Sequence, residues 1–412
     1  MKKKKFAMTS VLLALTAAVL LSGCASGSAG TTNTENVNVK NVSTDKTDSV
    51  STAARENAAE DTVDTISAVE NERFTARDLA QTADLSKAAV ITVSDGETAT
   101  ITEAGVYVLS GSAKNACIVV DAGDDDKVQL VLDGVSIVNE DQPCILAENA
   151  DKVFLTSAKG SENVLTVSGK FSSDNDAAVF SRDDLVLNGL GTVAVNSSKD
   201  GIRSNDDLKL TGGTWAVTAS NSALKAHDSI LAVDGAYELT AGGDGLHAED
   251  NDDGTIGSIV IDGGSFTIKA RDDGIHATTA ATVNGGTLTI TAAEGIEATQ
   301  VILNDGTIRI EATDDGVNAG RKSSALSVKV EINGGDLTVV MAAGDTDAVD
   351  ANGDLIITGG TLDITAQSPF DYDGSCIYTG GTIIVNGTET NTVTNQMMGG
   401  GMMGGRPGGK WH

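Results

Sequence analysis

The feature that most constrains the fold is a short motif that returns from Asp200 onward: an acid, a glycine, an apolar residue, a variable residue and alanine. Examples are "DDGIHA" around Asp273, "AEGIEA" around Glu294 and "DDGVNA" around Asp315. The motif starts are Asp200, Ser222, Asp244, Asp273, Glu294, Asp315, Asp347 and, in a degenerate form, Ser368. Successive starts are 22, 22, 29, 21, 21, 32 and 21 residues apart. Such a period is typical of a solenoid, whose repeats bury their apolar faces against one another.

A second signal follows each motif by about ten residues and consists of paired glycines before an alternating apolar segment. "VNGGTLTI" from Val283 and "INGGDLTV" from Ile332 are examples. Alternation of Thr with Leu or Ile is typical of strands, and paired glycines supply the positive φ that corners require. Helical periodicity is missing, and the chain has only 3 prolines. The sequence therefore predicts about three short strands per period, the rung of a parallel β-helix, over residues 86–392.

The amino terminus has the pattern of an exported lipoprotein. Lys2–Lys5 precede an apolar stretch, Val11–Leu21, and then "LLSGC" ends at Cys24. The apolar stretch is too short to span a membrane, and the last residues resemble the bacterial lipoprotein cleavage box. We therefore expect a signal peptide over 1–23, lipidation of Cys24, and an extracellular protein anchored to the membrane at the cell surface. An ordinary signal peptide with an incidental cysteine is the alternative.

Two further segments lack a packing pattern. Residues 24–85 are rich in Ser, Thr, Asn and acids, which cannot bury enough surface to offset chain entropy, so we expect a disordered stalk. Residues 393–412 form a Gly/Met-rich tail that we expect to be flexible. The formal net charge is −30, which repels nucleic acid and anionic polymers unless metal ions intervene. We expect a monomer that binds no nucleic acid.

Two loops interrupt the period. The 29-residue spacing contains "EDNDDGTIG" after Ala248, and the 32-residue spacing contains "GRKSSALS" after Ala319. Both insertions fall between the motif and the next glycine pair, so both loops should leave the β-helix at the same corner. Loops on a rigid scaffold often carry function, and this corner is a candidate binding edge.

In a β-helix each repeat position becomes a column along the axis. We expect the apolar residue and the alanine of the motif, such as Ile275 and Ala277, to point inward and the glycine to turn the chain. The acid then stacks on the acid of the next rung. Three residues after it lies an outward column, which consists of Arg203, Lys225, His247, His276, Glu297, Asn318, Asp350 and Asp371.

Stacked carboxylates repel each other, and a hard cation with six to eight oxygen ligands would offset this. The sequence therefore predicts bound Ca²⁺. The candidate ligands are Asp244, Glu249, Asp252, Asp253, Asp272, Asp273, Glu294, Asp314, Asp315 and Asp347. The alternative is that these acids cap turns by accepting backbone N–H groups. Zinc at His247 and His276 would need a third and a fourth ligand, which the sequence does not identify.

Sugar contacts are expected from polar groups of the outward column rather than from tryptophan. Candidates for ligand binding are His247, His276, Glu297, Asn318 and Asp350. Trp215 falls on an apolar column with the residues Tyr237, Phe266, Leu288, Ile308, Leu337 and Leu362, which predicts an inward position.

The cysteines after Cys24 occupy apolar repeat positions. Cys117 and Cys144 precede equivalent isoleucines on successive rungs, where either a disulfide or a pair of reduced thiols would fit. Cys376 is expected to be a buried thiol.

From about Ile91 to Gly387 the chain resembles a family of secreted bacterial carbohydrate-binding proteins whose characterised member binds cellulose and polygalacturonate. The opening "ITVSDGETATITEAGVYVLSG", the rung "VQLVLDGVSI" and the repeated "DDGIHA" and "INGGDLTV" phrases carry the resemblance. It implies a right-handed, single-stranded parallel β-helix similar to calcium-dependent pectate lyases, with bound calcium and polysaccharide binding.

Three functions remain open at this point. The first is a calcium-stabilised surface protein that binds plant cell-wall-type polysaccharide, without catalytic residues. The second is a calcium-dependent polysaccharide lyase, which needs a basic side chain to remove a proton, and Arg321 and Lys322 are the candidates. The third is a structural or adhesive surface rod.

Overall fold

The computed structural model describes residues 73–250, 253–344 and 346–396, and this part of the chain is built almost wholly from strands. The helix α1 is Ala76–Leu79. The first strands are β1 Ala89–Thr92, β2 Thr98–Ile101, β3 Gly105–Lys114, β4 Cys117–Asp121, β5 Lys127–Asn139, β6 Ile145–Asn149, β7 Lys152–Ser157, β8 Glu162–Val167, β9 Ala177–Ser181, β10 Asp184–Gly189, β11 Thr192–Ser197, β12 Asp200–Ser204, β13 Asp207–Ala219, β14 Leu224–Ala226, β15 Ser229–Ala241 and β16 Leu246–Ala248. The remaining strands are β17 Ser258–Ile261, β18 Ser265–Ala270, β19 Asp273–Val283, β20 Thr287–Ala292, β21 Glu294–Leu303, β22 Thr307–Ala312, β23 Val317–Ala319, β24 Lys329–Ile332, β25 Asp336–Met341, β26 Val349–Ala351, β27 Asp354–Ile357, β28 Thr361–Thr365, β29 Asp371–Tyr372, β30 Cys376–Tyr378, β31 Thr382–Val385 and β32 Thr388–Thr390. No helix in these ranges has the length and apolar character needed to cross a membrane.

The strands form three ladders in which each strand pairs in parallel with the strand one rung further along the chain, except that β32 pairs antiparallel with β31 at the carboxyl-terminal end. In the ladder that contains the acidic motif, β16 pairs with β19, β19 with β21, β21 with β23 and β23 with β26. Strands such as β13 and β15 are long because they continue around a corner from one ladder into the next. The prediction of an all-β, parallel-stranded core is confirmed. Its right-handed sense stays a prediction.

The core is formed by residues of the three ladders that point inward at alternate positions. The register pairs Trp215 with Tyr237, Tyr237 with Phe266 and Phe266 with Leu288, and all four side chains are buried. The rings of Tyr237 and Phe266 are stacked with centroids 4.8 Å apart. Trp215 is fully buried and its Nε1 donates to the backbone oxygen of Gly212 at 3.0 Å. The inward position predicted for Trp215 is confirmed, which removes it from the sugar-binding candidates.

Residues 73–85, which the sequence assigned to the stalk, lie against the β-helix instead. The guanidinium of Arg77 lies over the ring of Phe154, 4.5 Å from its centroid. The carboxylate of Asp78 is fully buried and pairs with the ammonium of Lys152 at 3.4 Å. The sequence did not predict this contact because it is made by isolated polar residues and a single buried aromatic side chain, Phe74, without periodicity. The folded body therefore includes residues on the amino-terminal side of the predicted boundary.

The first residues of the predicted tail also belong to the body. The backbone N–H of Gln396 donates to the oxygen of Phe370 at 3.0 Å, and Nδ2 of Asn395 donates to the oxygen of Tyr372 at 2.7 Å. The predicted signal peptide (1–23), residues 24–72 and residues 397–412 lie outside the described residues.

The two kinds of repeated glycine have different roles. In the glycine pairs the second glycine has a positive φ, as predicted; Gly286, for example, has φ +91°. None of the glycines of the acidic motif has a positive φ. Gly201, Gly274 and Gly295 lie within strands, so the expectation that the glycine turns the chain is wrong there, whereas Gly245 and Gly316 lie at bends just before their strands. A Cβ on Gly274 would lie 2.3 Å from Cγ2 of Ile290 and 2.6 Å from the oxygen of Gly295. This glycine is therefore needed because neighbouring rungs leave no room for a side chain.

The three cysteines of the described residues are free thiols, so the disulfide alternative is not realised in this structure. Cys117 and Cys144 are buried, and burial raises the pKa of Cys117 to about 12. Cys376 pairs in register with Leu355 but is half-buried, which is less than expected, because it lies near the carboxyl-terminal end of the stack.

Candidate metal centre

The outward column exists as predicted. Consecutive members are register partners on neighbouring strands: Arg203 with Lys225, Lys225 with His247, His247 with His276, His276 with Glu297, Glu297 with Asn318, Asn318 with Asp350 and Asp350 with Asp371. Because the side chains leave equivalent positions of parallel strands, each lies directly beside the next. The column changes from cationic to anionic along the chain, with the histidines between.

The histidines connect this column to the acid that precedes them by three residues. Nδ1 of His247 lies 2.6 Å from Oδ2 of Asp244, and Nδ1 of His276 lies 2.7 Å from Oδ2 of Asp273. The two imidazole rings are stacked with centroids 5.0 Å apart and planes at 10°. Stacking and carboxylate contacts together fix the orientation of both rings. Asp244 thus binds a side chain and also accepts the backbone N–H of Asp273 at 3.1 Å, which agrees with the capping alternative, whereas the contact with histidine was not predicted.

Asp273, His276 and Glu297 converge on one point and could hold a metal ion. Nδ1 of His276 is 2.7 Å from Asp273 Oδ2 and 2.9 Å from Glu297 Oε2, and the three donor atoms all lie within 4.8 Å of one another. Asp273 and Glu297 are buried and His276 is nearly so. Burial alone would lower the pKa of His276, but its hydrogen bonds to the two carboxylates raise it to about 10. The cluster therefore stabilises a positive charge at this point.

The second oxygen of Glu297 is bound by a residue from the second inserted loop. Nζ of Lys322 lies 2.6 Å from Oε1 of Glu297. Burial alone would lower the pKa of Lys322, but its contact with Glu297 raises it, so the side chain is held as the ammonium. Arg321, the other basic residue predicted for a lyase, is exposed. Lys322 thus belongs to the metal centre as an ion-pair partner.

The two inserted loops meet, as their shared corner requires. The hydroxyl of Ser323 in the second loop donates to the backbone oxygen of Gly254 in the first. The hydroxyl oxygen of Thr299 accepts the N–H groups of Lys322 and Ser323 at 3.0 and 2.7 Å. These contacts attach the second loop to β21 and position Lys322 beside Glu297.

A second group, the acidic cluster, comprises Asn318, Asp350 and Asp371 of the outward column together with Asp315 and Asp347. Oδ1 of Asp315 accepts the N–H of Asp347 at 3.2 Å. Burial, followed by the charges of Asp315, Asp371 and Asp347, raises the pKa of Asp350 to about 7. Oδ1 of Asn318 and Oδ1 of Asp371 are buried oxygens without a hydrogen-bond partner among the described residues. The cluster contains only oxygen donors and has excess negative charge.

Between the two groups lies Glu294, whose Oε2 accepts Nδ2 of Asn318 at 2.9 Å. Burial raises the pKa of Glu294 to about 7, and the charges of Glu297, Asp273 and Asp315 act in the same direction. Glu294 therefore links the metal centre to the acidic cluster.

Several predicted calcium ligands are not brought together. Asp272, Asp314 and Asp253 are exposed. Asp272 and Asp314 point to solvent because the second acid of each pair points to the column, and Asp253 lies in the first inserted loop. Oδ1 of Asp253 accepts the N–H of Thr255 at 2.9 Å, as a turn cap does. Glu249 binds Nε2 of His247 at 3.1 Å. Asp252 and Cys24 lie outside the described residues.

Comparisons with known proteins identify the family. The profile of the "Carbohydrate-binding domain-containing protein" family matches residues 95–343 and 292–402. The chain belongs to this family. A carbohydrate-binding domain-containing protein of Acetivibrio thermocellus is 39% identical over 120 residues, which are 27% of this chain and 42% of that relative. The chain thus spans less than half of that relative's length.

A solved structure is also similar. It is the polysaccharide lyase-like protein from C. thermocellum, determined as a gadolinium derivative. The two chains are 30% identical with a TM-score of 0.48, over 54% of this chain and 96% of that chain.

Sequence reasoning missed the donor set of the metal centre because it treated the acidic and outward columns separately. The usable signal was the phrase Asp-Gly-apolar-His, which occurs at Asp244 and again at Asp273 one rung later. An acid and a histidine at that spacing meet at the start of the strand, and the next rung supplies Glu297. Lys225 was also passed over, although it makes no ion pair with any residue that the structure describes.

Proposed function

We propose that the chain is a calcium-binding lipoprotein, anchored at the cell surface through Cys24, that binds a plant cell-wall-type polysaccharide such as cellulose or polygalacturonate. The observation that carries the proposal is the outward column, which presents evenly spaced polar side chains along successive rungs. Such a column suits a polymer with repeating hydroxyl and carboxylate groups. Membership of the carbohydrate-binding family supports the same function.

Calcium is assigned to the acidic cluster. Ca²⁺ takes six to eight oxygen ligands from carboxylates, amides and carbonyls. Asn318 and Asp371 each offer a buried oxygen that lacks a partner among the described residues, and such atoms are costly to leave unpaired. The raised pKa of Asp350, whose causes include three neighbouring carboxylates as well as burial, reflects a charge that a cation would compensate. The residues therefore fit a calcium ion, which would also join adjacent rungs.

The calcium assignment predicts that one substitution changes the stability of the chain in opposite directions in calcium and in chelator. Calcium at about 100 times its Kd should stabilise the wild-type chain by about 2.7 kcal/mol, seen as a raised Tm. Asp350→Asn should abolish most of this increase. In chelator the same variant should be at least as stable as the wild type, because the substitution removes repulsion with Asp315, Asp347 and Asp371.

Asp314→Asn is the matched control for that experiment, since Asp314 is an exposed acid of the same motif. It should leave the response to calcium unchanged. If Asp350→Asn kept the full calcium response, calcium would not bind at the acidic cluster.

Lys225 favours an anionic polysaccharide over a neutral one. Its side chain is half-buried between Arg203 and His247 in the outward column. Arg203 is already paired with Asp176 at 3.2 Å. Lys225 makes no ion pair in the described part of the chain, although its charge helps to lower the pKa of Glu249. A sugar carboxylate could therefore bind Lys225 without displacing a protein group. We place uronate recognition at this residue.

The binding test uses the full chain and insoluble cellulose or polygalacturonate, in calcium and in chelator. Lys225→Ala should weaken retention on polygalacturonate about tenfold or more, because a hydrogen bond to a charged group contributes about 1.5–3 kcal/mol. Retention on cellulose should not change. Lys87→Ala, which removes an exposed lysine outside the column, is the control. Equal retention of Lys225→Ala and wild type on polygalacturonate would remove Lys225 from the site.

The same assay mixtures distinguish binding from cleavage. A lyase would release unsaturated products that absorb in the ultraviolet, and its base must be free of a proton when it acts. The contact of Lys322 with Glu297 favours the ammonium, which supports binding over cleavage. Rising absorbance would establish the lyase. If the chain is not retained and the absorbance does not rise, a structural or adhesive role remains.

A further inference from the structure

We propose that Asp273, His276 and Glu297 bind one divalent transition metal ion, of the class of Zn²⁺, at a site separate from the calcium of the acidic cluster. The site would combine one imidazole nitrogen with two carboxylate oxygens. Its three residues come from two neighbouring strands, since Asp273 and His276 lie in β19 and Glu297 lies in β21.

The donor atoms are close to the geometry that such an ion requires. Nδ1 of His276 is 2.7 Å from the oxygen of Asp273 and 2.9 Å from that of Glu297. Bonds of about 2.0–2.2 Å in a tetrahedral site place donors about 3.3–3.6 Å apart. Side-chain rotations would have to open each contact by about 0.4–0.9 Å. The ion would take the place of the proton on Nδ1 and release it to solvent.

The nitrogen donor separates this site from the acidic cluster. Imidazole suits zinc and other transition metals, whereas calcium selects carboxylate, carbonyl and water oxygens. The acidic cluster offers only oxygens and contains no histidine. Two neighbouring sites on the same outward column should therefore select different cations by their donor atoms.

Surrounding contacts hold the donors in place, as outer partners do in metal sites. The ring of His247 stacks on that of His276 and restricts its rotation. Oδ1 of Asp244 accepts the backbone N–H of Asp273 at 3.1 Å, and Lys322 binds the oxygen of Glu297 that does not face the histidine. Because the three ligands lie on strands, the arrangement is more rigid than the same ligands on a loop would be. Three protein ligands would leave at least one coordination position for an oxygen from outside the protein.

The test is metal uptake by the full chain after stripping with a chelator. Titration calorimetry with Zn²⁺, and visible absorption with Co²⁺, should show one ion bound per chain that a large excess of Ca²⁺ does not displace. Displacement by calcium, or no uptake by the wild type, would overturn the proposal. Neither result depends on whether the chain binds polysaccharide.

Substitutions locate the site. His276→Ala and Glu297→Gln should each weaken Zn²⁺ binding by more than the roughly 10- to 100-fold that losing an outer partner causes. The control is His227→Ala, since His227 is an exposed histidine that contacts Asp228 and Asp250 outside the column. Unchanged Zn²⁺ affinity in His276→Ala and Glu297→Gln would contradict the assignment.

Folding and calcium binding are followed in the same variants. Thermal melts in chelator identify a variant that fails to fold, and Glu297→Gln, which keeps the side-chain shape, then decides the assignment. Calcium affinity at the acidic cluster should persist when Zn²⁺ affinity is lost. If calcium fails to bind the wild type while zinc binds, the calcium proposal falls and the transition-metal proposal stands.

Discussion

Asp78→Ala should lower the free energy of unfolding by about 3 kcal/mol, at the lower end of the effect of breaking a buried ion pair, because the two ammonium groups beside it keep other partners. The carboxylate is fully buried and lies 3.4 Å from Nζ of Lys152 and 3.9 Å from Nζ of Lys209. It also accepts the backbone N–H of Thr75 at 2.9 Å, which closes the cap of α1. Lys152 keeps Asp184 at 3.1 Å, and Lys209 keeps the backbone oxygen of Arg73 at 2.9 Å and Asp207 at 4.0 Å.

Urea unfolding of the full chain, followed by circular dichroism, measures the loss. Asp84→Ala is the control, since Asp84 is an exposed acid of the same segment. Protease cleavage between residues 73 and 88 should accelerate in Asp78→Ala and not in the control. A loss as small as that of Asp84→Ala would mean that the segment does not stabilise the β-helix.

Gly274→Ala should lower the free energy of unfolding by about 3 kcal/mol, at the upper end of the loss that overpacking of a well-packed core causes. The new methyl group would lie 2.3 Å from Cγ2 of Ile290, which is fully buried, and 2.6 Å from a backbone oxygen of the next rung. Neither atom can move without shifting a neighbouring strand. The substitution should also weaken metal binding, because it displaces Asp273 and His276 on either side.

Gly320→Ala is the matched control, since no other atom lies closer than 3.8 Å to its added Cβ and its φ is not positive. Thermal melts in chelator should show a large decrease in Tm for Gly274→Ala and little change for Gly320→Ala. Similar Tm values for the two variants would mean that adjacent rungs are packed less closely than in this structure.

The period alone predicted the parallel ladders, the inward aromatic column and the outward column from Arg203 to Asp371. Register in a β-helix follows from repeat length, and alternation within strands determines which side chains are buried, so both are local properties of the sequence. The contacts between columns were not predictable in this way. The approach of Asp273 to His276 depends on how the chain enters β19, and the binding of Lys322 to Glu297 depends on the path of an irregular loop.

The role of the motif glycine and the folding of the amino-terminal segment were also not predictable from the repeat. A glycine after an acid suggests a turn, but the motif glycine is required by the distance between rungs, which a single repeat does not reveal. The segment that carries Asp78 lacks periodicity because it contacts the β-helix through single polar groups. The composition of this segment therefore predicted a disordered stalk, whereas the segment is folded.

Binding of the polysaccharide by the outward column can be observed by diffraction from crystals of the full chain with calcium and a short oligogalacturonate. We expect sugar density along the column between Arg203 and Asp371, with a uronate carboxylate beside Lys225 and calcium at the acidic cluster. Sugar density on another face of the β-helix, or an empty column at saturating oligosaccharide, would contradict it.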